Sequence, residues 1–224
     1  MDRNSYIAVF DSGVGGVSVL RELRALMPGE RFYYFGDSAN APYGKRTTAQ
    51  VQDLTLAAAE KMMAFGLKAL VVACNTATSA AIRTLREKYP QMIIVGIEPA
   101  VKPAVDQFPN GRIGVMATDV TLREEKFHNL LGRFETGVTI EKISAPGLVE
   151  LVEAGKADSA DALLENILGP YKGLDALVLG CTHYPFVKKT VQKILGDAVQ
   201  VLDGGAGTAR QTCRLLEEKY NLME

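Results

Sequence analysis

The chain has 224 residues, which is enough for one large or two small domains with a sizeable core. Its apolar fraction of 47% and charged fraction of 23% are typical of a globular protein. A net charge of −1 gives no electrostatic basis for a nucleic-acid or membrane partner. No apolar run approaches the roughly 20 residues of a membrane helix, and no secretory core precedes the first predicted strand, so we expect a cytoplasmic protein.

Cysteine and histidine are scarce in this sequence. The chain contains three cysteines, Cys74, Cys181 and Cys213, and two histidines, His128 and His183. An odd number of cysteines without an export signal argues against a disulfide framework. Because neither a Cys-x-x-Cys nor a His-Glu-x-x-His spacing occurs, we expect no metal site.

Strand and helix patterns alternate along the whole chain. In the first half, apolar runs predict strands at residues 6–10, 31–35, 70–73 and 92–97, and helical spacing predicts helices at residues 17–26, 48–65 and 77–89. In the second half, the predicted strands are residues 112–116, 137–143, 176–179 and 200–202, and the predicted helices are residues 121–131, 160–168, 185–195 and 208–220. Residues 146–154 fit either a helix or a turn. This alternation indicates parallel α/β units.

The two halves of the chain repeat one design. Nearly the same interval separates Cys74 from Cys181 and Ser12 from Thr118, and all four residues follow a predicted strand. We therefore expect two pseudo-symmetric α/β domains with mostly parallel sheets and an active site in the cleft between them. The first domain is predicted to comprise residues 1–97 plus the returning helix at 206–224, and the second residues 98–205. The alternative is that two unrelated α/β units align loosely.

Cys74 and Cys181 are the first candidates for catalysis. Each lies just past the carboxyl end of a predicted buried strand, where open α/β sheets place their ligands. Each also precedes a predicted helix, whose N-terminus is expected to lower the pKa of the thiol. The alternative is that they are small buried hydrophobic residues. We assign that structural role to Cys213, which lies within a helical pattern.

Two acid/base candidates accompany the thiols. His183 is two residues past Cys181, and a histidine is a suitable proton-transfer partner for a thiol; otherwise it is a surface loop residue. Asp11 ends the first predicted strand and can accept a proton or bind an ammonium group, or act only in the turn. Its glycine-rich continuation, residues 13–16, matches a dinucleotide fingerprint poorly and fits a carboxylate on its N–H groups better.

Five segments of the sequence resemble the glutamate racemases, isomerases of the aspartate/glutamate racemase superfamily. These segments are residues 10–16, 36–44, 73–78, 96–99 and 180–185. The resemblance implies two α/β domains and cofactor-independent racemisation of glutamate, which supplies D-glutamate for peptidoglycan, and hence for cell-wall biogenesis and cell shape. It also implies that two cysteines transfer the α-proton on opposite faces of the substrate, and it allows a homodimer.

The resemblance also assigns roles to individual residues. It implies that Cys74 deprotonates the D-isomer and Cys181 the L-isomer, with Asp11 and His183 assisting. Glu153, which by composition alone is a solvated helix residue, matches a third acidic helper. The residues implied to bind substrate are small polar side chains and backbone groups that suit a zwitterion: Ser12, Pro42, Tyr43, Gly44, Asn75, Thr76, Thr118, Thr121 and Thr182.

The chain departs from the family pattern at several positions. Val120 stands where the family usually has a glycine, Glu150 where it has a proline, and Glu124 and Phe127 where it has serine and tyrosine. Val120 lies beside a predicted substrate-binding threonine, so aspartate or another small acid is an alternative substrate. A non-catalytic binding protein on the same fold is a further alternative. A thiol hydrolase is disfavoured because no third orienting residue accompanies Cys181 and His183.

Overall fold

Two parallel sheets form the framework of the chain, which the computed structural model describes at residues 5–134 and 137–220. The first sheet has the strand order β2-β1-β3-β4, with β1 at Tyr6–Asp11, β2 at Phe32–Gly36, β3 at Leu67–Val72 and β4 at Ile93–Gly96. The second has the order β6-β5-β7-β8, with β5 at Arg112–Ala117, β6 at Thr139–Ser144, β7 at Ala176–Leu179 and β8 at Gln200–Asp203. Every pair of neighbouring strands is parallel.

The two sheets are equivalent in order, which confirms the predicted fold class of two α/β domains. Strand β1 corresponds to β5 and β3 to β7. The central strands β3 and β7 are buried along their whole length. Apart from Lys68, which pairs with Glu30, their residues are apolar, as parallel strands covered on both faces require.

Ten α-helices connect and cover the strands in the described residues. They are α1 (Val17–Leu26), α2 (Thr48–Met63), α3 (Asn75–Lys88), α4 (Val101–Gln107), α5 (Asp119–Arg123), α6 (Glu125–Leu131), α7 (Leu148–Glu153), α8 (Asp161–Leu168), α9 (Lys188–Leu195) and α10 (Gly205–Tyr220). No helix in the described ranges is long and apolar enough to cross a membrane. Helix α2 starts at a capping box, in which Thr47 and Gln50 satisfy each other's backbone N–H groups.

Two predicted helices are interrupted. The helix predicted at residues 121–131 is divided into α5 and α6, because Thr118 caps α5 early and Glu124 adopts an extended backbone. The Glu124 carboxylate then accepts a hydrogen bond from the Thr48 hydroxyl of the first half. In the helix predicted at residues 185–195, a 3₁₀ turn at Tyr184–Val187 precedes α9.

The C-terminal helix α10 packs on the first sheet. Ala209 and Leu216 share one buried cluster with Val19 and Leu23 of α1 and with Val71 of β3. Helix α10 therefore lies against the first half of the chain. The domain boundaries stay a prediction. Residues 1–4 and 221–224 of the predicted first domain lie outside the described residues.

Candidate active site

Cys74 lies where β3 passes into α3. It is the N-cap of α3, is 5% exposed, and its Sγ accepts a hydrogen bond from the Ala77 N–H at 3.4 Å. The same sulfur lies 3.6 Å from the hydroxyl oxygen of Ser12, which follows β1. The carboxyl ends of two adjacent strands thus bring a thiol and a hydroxyl together.

The pKa of Cys74 is raised, not lowered. Burial and then the charge of Asp11 raise the pKa of the thiol to about 12, although its hydrogen bonds with the Ala77 N–H and the Ser12 hydroxyl act in the opposite direction. The expectation that the helix N-terminus would lower this pKa is therefore wrong, because desolvation of the thiolate outweighs the helix N–H groups. At neutral pH Cys74 carries its proton.

Cys181 occupies the corresponding position after β7. Its Sγ lies 3.7 Å from Nδ1 of His183, and both side chains are buried. The expected helix does not begin beside it, since α9 starts only at Lys188. The polar group at this thiol is therefore the imidazole, and the alternative of a surface histidine is wrong. The expectation that no third residue orients Cys181 and His183 is also wrong, because Glu153 contacts the other ring nitrogen.

Glu153, at the end of α7, pairs with His183. Its Oε1 contacts Nε2 of the imidazole, whose other nitrogen faces Cys181. Burial lowers the pKa of His183, but hydrogen bonds to Cys181 and Glu153, together with the charges of Cys181 and Asp11, raise it to about 10. Burial raises the pKa of Glu153, but its bonds to His183 and to the Val14 N–H lower it below its usual value. The pair is an imidazolium and a carboxylate at neutral pH.

Asp11, the last residue of β1, is fully buried between the halves. Its carboxylate accepts the Thr182 hydroxyl at 3.0 Å and the Gly13 N–H at 2.9 Å. Burial raises the pKa of Asp11, and the charge of His183 and these hydrogen bonds only partly oppose that shift. A carboxylate from the first sheet thus reaches residues that follow β7 of the second.

The glycine-rich turn at residues 13–16 binds carboxylates of the protein itself. The Gly13 N–H donates to Asp11, and the Val14 N–H donates to Glu153 at 2.8 Å. A Cβ at Gly13 would lie 1.8 Å from Oε1 of Glu153, and one at Gly15 2.5 Å from Nδ1 of His183. These glycines allow the turn to touch the acid/base groups of the other half. They do not leave these two N–H groups free for a substrate anion.

Three threonine hydroxyls connect the two halves near the N-terminus of α3. Thr76 lies 3.0 Å from Thr118 and 3.3 Å from Thr121, and Thr118 donates to Thr121 at 3.1 Å. Their neighbour Asn75 is buried, and its Oδ1 has no hydrogen-bond partner among the described residues. A buried acceptor without a partner is costly unless a ligand satisfies it.

The loop at residues 42–44 faces the same region through its backbone. Tyr43 is 1% exposed and its hydroxyl donates a hydrogen bond to Asp37 at 2.8 Å, so its side chain stabilises the loop. A Cβ on Gly44 would lie 2.9 Å from the Thr118 side chain. Pro42, Gly44 and Thr118 line one small cavity of about 70 Å³. Larger grooves of about 520 and 740 Å³ lie elsewhere, and neither Cys74 nor Cys181 lines them.

Several contacts at the site were not found from the sequence. Tyr34 of β2 donates its hydroxyl to the Gly13 carbonyl, and Lys45 forms an ion pair with Glu150 across the cleft. Glu150 and Glu124, two of the departures from the family pattern, both contact residues of the first half. Of the other departures, Val120 and Phe127 are buried.

Comparison with known proteins places these observations in a family context. The family model described as Asp/Glu/Hydantoin racemase matches residues 16–212. The chain is 52% identical to a glutamate racemase of Clostridium kluyveri over 96% of this chain and 85% of the relative. A crystal structure of a glutamate racemase from Bacillus anthracis superposes with a TM-score of 0.88 at 34% identity, covering 97% of this chain and 84% of that one. An Escherichia coli glutamate racemase in complex with L-glutamate gives a TM-score of 0.86 at 35% identity, with 96% and 83% coverage.

Proposed function

We propose that this chain, which belongs to the Asp/Glu/hydantoin racemase family, interconverts L-glutamate and D-glutamate without a cofactor. The relatives that share about half of its sequence are glutamate racemases, and the similar Escherichia coli structure holds L-glutamate. Both findings support glutamate as the substrate of this chain.

The observation that carries the proposal is the matched pair of buried thiols, each with its own acid/base group. Racemisation requires a base and an acid on opposite sides of the planar carbanion that forms at Cα. Cys74 and Cys181 follow equivalent strands of two equivalent sheets. Cys181 has the His183 imidazole at 3.7 Å, and Cys74 lies in the electrostatic field of Asp11.

In the L-to-D direction, the Cys181 thiolate removes the α-proton. An imidazolium at the distance of His183 stabilises a thiolate, and Glu153 holds the imidazolium in that charge state. Cys74, protonated because burial raises its pKa to about 12, delivers its proton to the opposite face of Cα. One C–H bond breaks and another forms at Cα. The Cys181 thiolate gains a proton, and the Cys74 thiol loses one.

The D-to-L direction reverses these roles. Cys74 is then the base and Cys181 the acid, with Asp11 as the group that assists Cys74. Cys74, whose pKa is raised by burial, must lose its proton before it can act on the D-isomer. The thiols must exchange protons with solvent before the next substrate of the same hand can react.

Substrate recognition is proposed to use the polar groups around the thiols. The unpartnered Oδ1 of Asn75 fits the substrate ammonium, and the Thr76–Thr118–Thr121 hydroxyls fit a carboxylate. Groups that complete the proposed set are Ser12, Thr182 and the backbone of Pro42, Tyr43 and Gly44.

Aspartate or another small acid is the second candidate substrate. Val120, buried in α5 beside Thr121, stands where the family usually has a glycine, so its side chain adds volume beside a residue proposed to bind substrate. A substrate with a side chain shorter than that of glutamate would tolerate this added volume better. A panel of amino-acid enantiomers therefore separates the two proposals.

The biological role is proposed from the resemblance. The D-glutamate formed would enter peptidoglycan synthesis in the cytoplasm, with glutamate as the small-molecule partner. A homodimer stays a prediction, as does the absence of nucleic-acid and membrane partners.

The experiment is a cofactor-free racemisation assay by circular dichroism with each enantiomer of glutamate and aspartate. We expect the optical signal of either glutamate enantiomer to decay to zero, and that of aspartate to persist. Decay with aspartate alone would support the second candidate. No decay with any acid, together with a thermal shift by a protein partner, would favour a non-catalytic binding protein.

A further inference from the structure

Tyr34 holds a peptide group that both halves of the site use. Its side chain is half-buried on β2, and its hydroxyl donates to the carbonyl of Gly13. That carbonyl belongs to the same peptide plane as the Val14 N–H, which donates to Oε1 of Glu153. Because a peptide group is planar and rigid, the bond that fixes the carbonyl also fixes the direction of the N–H.

The same turn also contacts Asp11. The N–H of Gly13 donates to the Asp11 carboxylate, so Gly13 is fixed at its N–H by Asp11 and at its carbonyl by Tyr34. A Cβ on Gly36 would lie 2.5 Å from this carbonyl oxygen, which shows how closely β2 approaches the turn. Two side chains therefore hold the Gly13–Val14 peptide, Tyr34 at its carbonyl and Glu153 at its N–H, so the Tyr34 bond sets the direction in which the N–H meets Glu153.

The hydroxyl of Tyr34 lies among the negative groups of the site. Burial, and then the charges of Asp11, Glu153 and Cys74, raise the pKa of Tyr34. It therefore remains protonated and remains a donor at every pH at which the site can operate.

We propose that Tyr34 is a positioning residue for the racemase reaction: through the Gly13–Val14 peptide it orients Glu153 toward His183, and through Gly13 it supports Asp11. This inference rests on the proposed function and adds a residue to it. One hydroxyl thus serves the acid/base partners of both thiols through the backbone of the turn.

The test compares Tyr34→Phe with Tyr33→Phe. Tyr33 precedes Tyr34 on β2 and packs its ring at 5.0 Å, between centroids, from Phe65, so the control removes the same hydroxyl from the opposite face of the sheet. We expect Tyr34→Phe to lower kcat roughly 3- to 10-fold, as loss of one hydrogen bond would, with KM within about twofold of wild type. Tyr33→Phe should leave both constants unchanged.

A second readout reports the peptide directly. In spectra of protein labelled with ¹⁵N-valine, the Val14 amide proton should move upfield in Tyr34→Phe, because its bond to Glu153 weakens, and stay in place in Tyr33→Phe. Thermal unfolding of both variants checks that each is folded.

The outcomes separate this inference from the proposed function. An active wild type with unchanged kcat in Tyr34→Phe, or a lowered kcat with an unmoved Val14 amide, would overturn the positioning role. A wild type without racemase activity would refute the proposed function, and the Val14 amide would still decide whether Tyr34 orients this peptide.

Discussion

Replacing Glu153 by glutamine tests the electrostatic core of the site. Glutamine keeps the size and an oxygen acceptor for His183 and for the Val14 N–H, but it removes the negative charge. In the wild type, hydrogen bonds and nearby charges hold the pKa of His183 at about 10 against the opposing effect of burial. Without the Glu153 charge, less opposes the effect of burial, and the pKa of His183 should fall below its wild-type value.

The magnitude follows from the geometry of the pair. An opposite charge within about 4–6 Å shifts a pKa by about 1–3. The Glu153 side chain is 17% exposed and glutamine retains the acceptor, so we expect the lower part of that range, roughly 1 to 2. At about 1.36 kcal/mol for each pKa unit, the variant should lose about 1.4–2.7 kcal/mol of unfolding free energy at neutral pH.

The sign of the pH dependence is fixed by the direction of the shift. The pKa of His183 is raised on folding, so its stabilising contribution is complete below its ordinary value of 6.5 and is lost as the pH rises through about 10. The difference in stability between wild type and Glu153→Gln should therefore be present at pH 7 and disappear above about pH 10.

The assay is an NMR titration of the histidine ring protons. The chain has two histidines, and the exposed His128 gives a reference signal in the same spectrum. The control is Glu150→Gln, the same chemical change three residues earlier in α7, where the carboxylate pairs with Lys45. A wild-type His183 that titrates near 6.5, or equal titration in wild type and Glu153→Gln, would refute the reasoning.

Two further changes probe contacts between the halves. In Gly15→Ala the new Cβ would lie 2.5 Å from both Nδ1 of His183 and Oγ1 of Thr182, so we expect a loss of activity of at least about 10-fold and about 1–3 kcal/mol of stability. Gly29→Ala, whose Cβ meets nothing within 4 Å, is the control, and equal kinetics in both variants would contradict the close contact. A double-mutant cycle of Lys45→Ala and Glu150→Ala, measured by denaturant unfolding, should give a coupling free energy of about 0.2–1 kcal/mol. This coupling should decrease as salt is added, because the Lys45 side chain is 69% exposed to solvent. A salt-independent coupling above about 2 kcal/mol would contradict solvent screening of the pair.

The sequence predicted the fold well where local pattern and burial agree. Apolar runs at residues 70–73 and 176–179 marked β3 and β7, and the polar residues past their ends marked Cys74 and Cys181. The helix α4 was not predicted, because a proline at position 103 obscures its pattern although proline is tolerated in a first turn.

The sequence suggested individual candidate residues of the site, but it did not predict the hydrogen bonds that join them across the two halves. The Val14–Glu153 hydrogen bond joins residues 139 positions apart, and nothing local in α7 distinguishes Glu153 from a solvated helix residue. Tyr34 was missed because a tyrosine in a half-buried strand fits ordinary packing. The raised pKa of Cys74 depends on how completely the folded protein excludes water from the thiol, which its position before a helix does not reveal.

Exchange of the α-hydrogen in D₂O, followed by NMR with each enantiomer of glutamate, tests the two-thiol mechanism most directly. Wild type should exchange and interconvert both enantiomers. Cys74→Ala should exchange only L-glutamate, Cys181→Ala only D-glutamate, and neither variant should racemise, because neither thiol reaches the other face of Cα. No exchange by the wild type, or racemisation that survives the loss of either thiol, would contradict the mechanism.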